Sequence, residues 1–199
     1  MAVESAIAGG SIALFKDSEL VAERSGNLSV SRAEDLLPNI IDLLAEGGIA
    51  KQQLLKVAVS TGPGSYTGLR IGIASVMGLC RGLGIDHVGF PLNAAICAAY
   101  AADDSMIVLP MGKADICIAP CSGQRELRVV NIEALLSEVK SNEPSRFLVH
   151  SSLIDLFAGS NIQVIDLGTN LAKYVGNAAI AGLEPSTLRP IYVENPRFG

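Results

Sequence analysis

Tryptophan is absent from these 199 residues, and only four tyrosines and five phenylalanines supply aromatic rings. A surface that stacks nucleic-acid bases needs such rings, so the composition argues against one. Basic side chains are also scarce. Fifteen Lys and Arg stand against twenty Asp and Glu, the formal net charge is −5, and the basic residues occur singly. A chain that grips RNA or DNA by itself presents a basic patch, so no direct nucleic-acid contact is expected. No apolar run reaches membrane-spanning length, the alanine-rich piece from Ala94 to Ala102 being too short, and no secretory leader is legible. A cytoplasmic location without membrane contact is therefore expected. The four cysteines, Cys80, Cys97, Cys117 and Cys121, lie in apolar segments without a C-x-x-C pair, and only His87 and His150 are at hand as further ligands. The expectation is reduced, mostly buried thiols, with neither metal nor cofactor.

What is present is a 49% hydrophobic chain, long enough to bury a core as one large domain or two small ones. Its most informative stretch is Val57-Ala58-Val59-Ser60-Thr61-Gly62-Pro63-Gly64-Ser65-Tyr66-Thr67-Gly68-Leu69-Arg70-Ile71-Gly72. A buried strand gives way to a tight turn and then to a helical pattern. Such a corner aims backbone N–H groups and the positive end of a helix at one spot, which favours an anion. Equally, it is a corner that lets neighbouring elements pack closely.

The coarse pattern reads strand, strand, strand, helix over Ala2–Ser5, Ser11–Phe15, Leu20–Arg24 and Ser31 to Glu46. Ser31-Arg32-Ala33-Glu34 has the form of a capping box, and Pro38 is expected to bend the helix. A second helix over Thr67–Leu83 carries Leu69, Ile73, Val76, Cys80 and Leu83 as a ridge for a sheet. Its Gly68, Gly72, Ser75 and Gly82 form a face almost bare of side chains. Several glycines in a helix, each costing on the order of 1 kcal/mol, imply that something approaches closely. That neighbour is either part of the same chain or a partner. Beyond Asp103-Asp104-Ser105 follow strands at Met106–Pro110, Asp115–Ala119 and Glu126–Val130, a hairpin turn at Ser122-Gly123-Gln124, a helix capped by Asn131, and further short elements ending in a helix over Leu171–Ala181. The division expected is 1–103 and 104–199, with the second half abbreviated and poorer in sheet.

Known chemistry fits poorly. The corner lacks the lysine of a Walker loop and the third glycine of a dinucleotide fingerprint. Ser65 lacks the flanking glycines of a nucleophile elbow, and no oriented histidine accompanies it. Glu4 closes the first strand and is followed by Ser5, where an acid could hold water or a metal near phosphate, the alternative being a solvated strand end.

The stretch from Thr61 to Ala74 resembles the signature G-P-G-S-[FY]-T-G-L-R-[IV]-G of the TsaB family, also called YeaZ. Ala2-Val3-Glu4-Ser5 is similar to that family's A-I-D-T-S start, with glutamate for aspartate and Ala6 interrupting the Thr-Ser run. Ser31 to Pro38 is similar to a stretch ending L-L-P, with Ser31 and Arg32 where a histidine is common, and Pro190-Ile191-Tyr192-Val193 resembles P-x-Y-[LV]. Met111-Gly112-Lys113-Ala114-Asp115 departs from the family's D-A-R. The resemblance implies an actin-like ATPase, ribonuclease H-like α/β fold of two lobes, the second reduced. It implies a non-catalytic subunit of tRNA threonylcarbamoyladenosine synthesis that binds a TsaD-like catalytic paralogue and assembles with a TsaE-like ATPase. Leu36, Leu37, Ile40, Gly68, Ile71, Gly72, Ser75 and Gly82 are the interface residues so implied, and Glu4 and Ser5 a vestigial phosphate site. Without its partner such a face is expected to pair with itself as a homodimer. The alternative is an ATP-dependent kinase or ATPase of the same fold class. The family's older glycoprotease label finds neither a metal set nor a triad in these residues.

Overall fold

The computed structural model describes residues 1–25, 33–100, 105–112, 115–121, 127–139, 146–160 and 162–193. The expected capping box at Ser31-Arg32, the Asp103-Asp104 loop and the hairpin turn at Ser122-Gly123-Gln124 lie outside them. Among the described residues ten strands form two five-stranded sheets. In the first, β1 (Ala2–Glu4), β2 (Ser11–Lys16), β3 (Glu19–Ser25), β4 (Lys56–Ser60) and β5 (Asp86–Phe90) lie in the order β3-β2-β1-β4-β5. β1 pairs antiparallel with β2, Val3 opposite Ile12, and parallel with β4, Val3 opposite Val59.

The second sheet repeats this plan. β6 (Ser105–Pro110), β7 (Asp115–Pro120), β8 (Arg128–Asn131), β9 (Arg146–Val149) and β10 (Gln163–Asp166) lie in the order β10-β9-β6-β7-β8. Again the first strand pairs antiparallel with the second and parallel with the fourth. A mixed sheet of this order, twice over, is the actin-like, ribonuclease H-like α/β architecture. The second half is thus not poorer in sheet, as its sequence suggested. What it shortens is the helices. α1 (Ala33–Glu46) and α2 (Tyr66–Leu83) have 14 and 18 residues, whereas α4 (Ile132–Val139) has 8 and a 3-10 helix fills Ser151–Phe157.

Alternation within the strands sorts the core into layers. Val3, Ile12, Val57 and Val59 face α1 and α2, meeting Leu36, Ile40, Leu43, Ile73 and Val76. Ala2, Ala13 and Ala58 face the other way, and their small side chains let α5 (Ala172–Ile180) come close. α3 (Leu92–Tyr100) and α5 share a core with the inward face of the second sheet, including Ile107, Leu109 and Leu148. So α5 follows the second sheet in the chain but packs on the first. Ser11 Oγ ties it there, accepting from the N–H groups of Leu171 and Ala172.

Helix ends follow their sequence signals. Ser65 Oγ accepts from Gly68 N at 3.2 Å, and Gly84 closes α2 in the left-handed region. Asn131 Oδ1 accepts from Glu133 N, capping α4 as expected. The cysteines correct the sequence reading. Cys97 on α3 is bonded to Cys121 beyond β7, joining the helix of one half to the sheet of the other. Cys80 and Cys117 are free and buried, and burial pushes the Cys117 thiol up to about 12. Among the described residues no helix is long and apolar enough to cross a membrane.

Candidate functional site

The glycine corner is built where β4 ends. Thr61 N donates to Phe90 O, continuing the pairing with β5, and Ser60 Oγ accepts from Gly62 N at 3.2 Å. Gly62 O then accepts from Leu92 N at 2.7 Å, which seats the start of α3. From here α2 departs toward the loop between β1 and β2.

That loop fills the bare face of α2. A Cβ at Gly64 would strike Ala6, one at Gly68 would strike the backbone of Ser5 and Ala6, and one at Gly72 would strike the Ser5 hydroxyl. Ser65 N donates to Ala6 O at 2.9 Å, and Ser5 Oγ donates to Gly68 O at 2.8 Å. Glu4 shapes the same loop from below. Its carboxylate, 1% exposed, accepts through Oε1 from the N–H groups of Ala6 and Ile7 at 2.6 and 3.1 Å. Oε2 is buried without a partner among the described residues, and burial pushes the carboxyl up from 4.5 to about 7. Hence the two groups that sequence reasoning kept apart, Glu4 with Ser5 and the glycines of α2, are one packed unit. N–H groups that an anion would need are engaged by the chain itself at Ser65 and Gly68.

A strap from residues 186–193 crosses the other side of the corner. Ser186 N donates to Gly89 O at 2.9 Å and Ile191 N to Thr61 O at 2.7 Å. Gly62, at φ +117°, leaves room for Ile191, whose carbonyl would lie 2.6 Å from any added Cβ. Tyr192 stacks on Tyr66 with centroids 4.7 Å apart, and its hydroxyl accepts from Arg70 Nε at 3.1 Å. The Arg70 guanidinium lies 4.0 Å over the Tyr66 ring. Sequence reasoning gave Tyr66, Arg70 and Tyr192 no role, although both segments carry the recognisable motifs. Nothing short of their meeting in space marks them as partners.

The interface residues read from sequence divide by exposure. Leu36 and Ile40 are buried in the core beneath α1, and Gly68 and Gly72 are covered by the β1–β2 loop. These four face inward because the sheet and the loop occupy the space that a partner would need. Leu37 is exposed, Ile71 and Ser75 are half-buried, and Gly82 opens onto empty space. Ile41 on α1 and Ala74, Met77 and Gly78 on α2 are exposed as well, and none of them is among the interface residues expected from the sequence. Ile41 sits four residues from Leu37, so one exposed apolar stripe runs along α1. α1 packs on α2, whose own exposed residues include Ala74, Met77 and Gly78.

The remaining candidates have structural partners. Ser65 caps α2, and His150 Nδ1 accepts from Ser152 N at the start of the 3-10 helix. Among the described residues no group of three or more His, Cys, Asp or Glu side chains is placed to hold a metal.

A family model described as TsaD, tRNA N6-adenosine threonylcarbamoyltransferase, matches residues 28–113. The tRNA threonylcarbamoyladenosine biosynthesis protein TsaB of Bacillus subtilis is 36% identical over 74 residues, 37% of this chain and 32% of that protein. The Escherichia coli protein of the same name is 30% identical over 89 residues, 45% of this chain and 38% of that one. The matched stretches thus span about a third of the length of these relatives. A Pseudomonas aeruginosa structure, described as an uncharacterized protein with similarity to peptidase YEAZ, superposes with a TM-score of 0.66. It does so at 18% identity, covering 97% of this chain and 98% of that one, which extends the likeness of fold to both halves. Signature and matched stretches make the chain similar in sequence to TsaB (YeaZ) proteins over part of its length, and the doubled sheet plan is similar in fold to the YeaZ structures throughout.

Proposed function

We propose that this chain is a non-catalytic scaffolding subunit in the synthesis of threonylcarbamoyladenosine on tRNA. It holds a TsaD-like catalytic subunit against the outer face of α1 and α2, with a TsaE-like ATPase as the third member. Residues 1–103 form the partner-binding lobe, completed by α5 and the 186–193 strap, the rest of 104–199 forms the smaller one, and the role is cytoplasmic. The observation that carries this reading is the apolar stripe on α1, where Leu37 and Ile41 are 41% and 63% exposed. On the neighbouring helix α2, a Cβ at Gly78 or Gly82 would meet nothing within 4 Å. Exposed apolar surface next to helix backbone without side chains fits a helix from another chain. When no partner is present the same face joins two copies.

The test is size-exclusion chromatography of the chain mixed with the TsaD-like protein of the same source. Co-elution is expected, and Ile41→Asp or Gly78→Leu should weaken the complex at least tenfold without unfolding the chain. Separate elution, or variants that bind as well as the parent, overturns the reading. Titration with ATP and magnesium covers the alternative, since a clear micromolar site would favour a kinase or ATPase.

A further inference from the structure

At the end of the first sheet away from the glycine corner lies a half-open cavity of about 420 Å³. Leu14, Leu54 and Ala58, all buried, form its floor, and Phe15, Ile49 and Ile180 its walls. The floor and wall are held by close packing. Gly176 leaves no space for a Cβ beside the Phe15 ring, and a Cβ at Gly47 would come 2.6 Å from Leu14 Cδ2. The cavity therefore exists before anything enters it, and its size is within the range of small-molecule sites.

Two features point to the class of ligand. Leu55 and Ile180 line the cavity and remain 85% and 44% exposed, an apolar lip unusual for a surface depression. Lys16 and Lys56, both exposed, lie on the same rim, with Asp17 the single acid among the lining residues. On a chain of net charge −5 this is a local excess of positive charge. We propose that the cavity binds an amphipathic carboxylate of medium chain length, its alkyl chain among Phe15, Ile49 and Ile180 and its head group between Lys16 and Lys56. Burial of the alkyl chain supplies most of the affinity. The two exposed lysines, though screened by salt, add a smaller share that an uncharged head group does not receive. The lining includes neither Leu37 nor Ile41 nor any residue of α2, so the proposal does not depend on the scaffold reading.

The experiment uses the full chain with 8-anilinonaphthalene-1-sulfonate as reporter, displaced by octanoate or decanoate below their micelle concentrations or by decanol below its solubility limit. A saturable one-site displacement is expected, with affinity rising roughly fourfold per added methylene and decanoate binding better than decanol. The Lys16→Glu/Lys56→Glu double variant should lose tenfold or more for decanoate and little for decanol. Leu55→Glu, at a largely exposed position on the lip, should weaken both while leaving the thermal midpoint unchanged. No saturable displacement, equal affinity for decanoate and decanol, or unchanged binding in both variants would overturn the proposal.

Discussion

The backbone N–H of Ile191 donates to the carbonyl of Thr61 at 2.7 Å, so the end of the described chain is laid against the corner that bears the family signature. Gly62 and Tyr66 on the corner, and Tyr192 on the strap, are shaped to each other. The glycine-rich signature is therefore first a packing device. It seats the β1–β2 loop on one side and the strap on the other.

Loosening the strap should cost stability in proportion to the contact removed. Tyr192→Ala, which deletes the stack on Tyr66, should destabilise by about 1 kcal/mol. Gly62→Ala combines a positive φ with the approach of Ile191 and should cost about 1–3 kcal/mol. Urea midpoints check both, and an unmoved midpoint for Gly62→Ala would mean the strap does not bear on the corner.

Glycines of the same helix should respond in opposite directions. Gly72→Ala drives a methyl into the Ser5 hydroxyl and should destabilise by about 1–3 kcal/mol. Gly78→Ala meets open space in mid-helix and should stabilise by about 0.5–1 kcal/mol. Thermal unfolding of the two variants side by side distinguishes internal close packing from a bare outer face, and a gain at Gly72 would contradict the packing described.

Glu4 makes stability depend on pH in a stated direction. Its folded value of about 7 lies above the ordinary 4.5, so the folded state holds the proton more tightly than the unfolded chain. The stability that this contributes is fully present below about pH 4.5 and is lost as pH rises through about 7. Glu4→Gln keeps an oxygen to accept from Ala6 and Ile7 without a charge to bury. It should differ little from the parent at pH 5 and exceed it by about 1–3 kcal/mol at pH 8. Urea titrations at the two pH values measure this, and a parent that grows more stable from pH 5 to 8 relative to the variant would refute it.

The Cys97–Cys121 bond closes a stretch with a sequence separation of 24. Reduction with dithiothreitol should lower stability by about 2–4 kcal/mol, mainly by freeing the unfolded chain. Cys97→Ser should abolish the response to reductant. Equal midpoints with and without dithiothreitol would show that the bond contributes nothing.

Much of the architecture was legible in the residues. Apolar runs such as Val57-Ala58-Val59 mark strands buried on both faces, and Ser65 and Gly84 mark the ends of α2 by hydrogen-bonding and backbone geometry that any local reading can use. Leu36 and Leu37 show the limit. Both are leucines on an apolar helix, yet Leu36 is wholly buried and Leu37 is exposed. A helix apolar on two sides does not say which side the sheet takes.

What the sequence determined by itself is the order of strands and helices, the strand–turn–helix corner and its family signature. Those depend on periodicity and on residues that few backbone conformations tolerate. Only the tertiary structure decided what fills the spaces that glycine leaves, that Glu4 is buried beneath its own loop, that Cys97 meets Cys121, and that Tyr192 returns to Tyr66. Each of these joins residues that the chain's path through two sheets brings together, and no local spacing encodes a meeting of that kind.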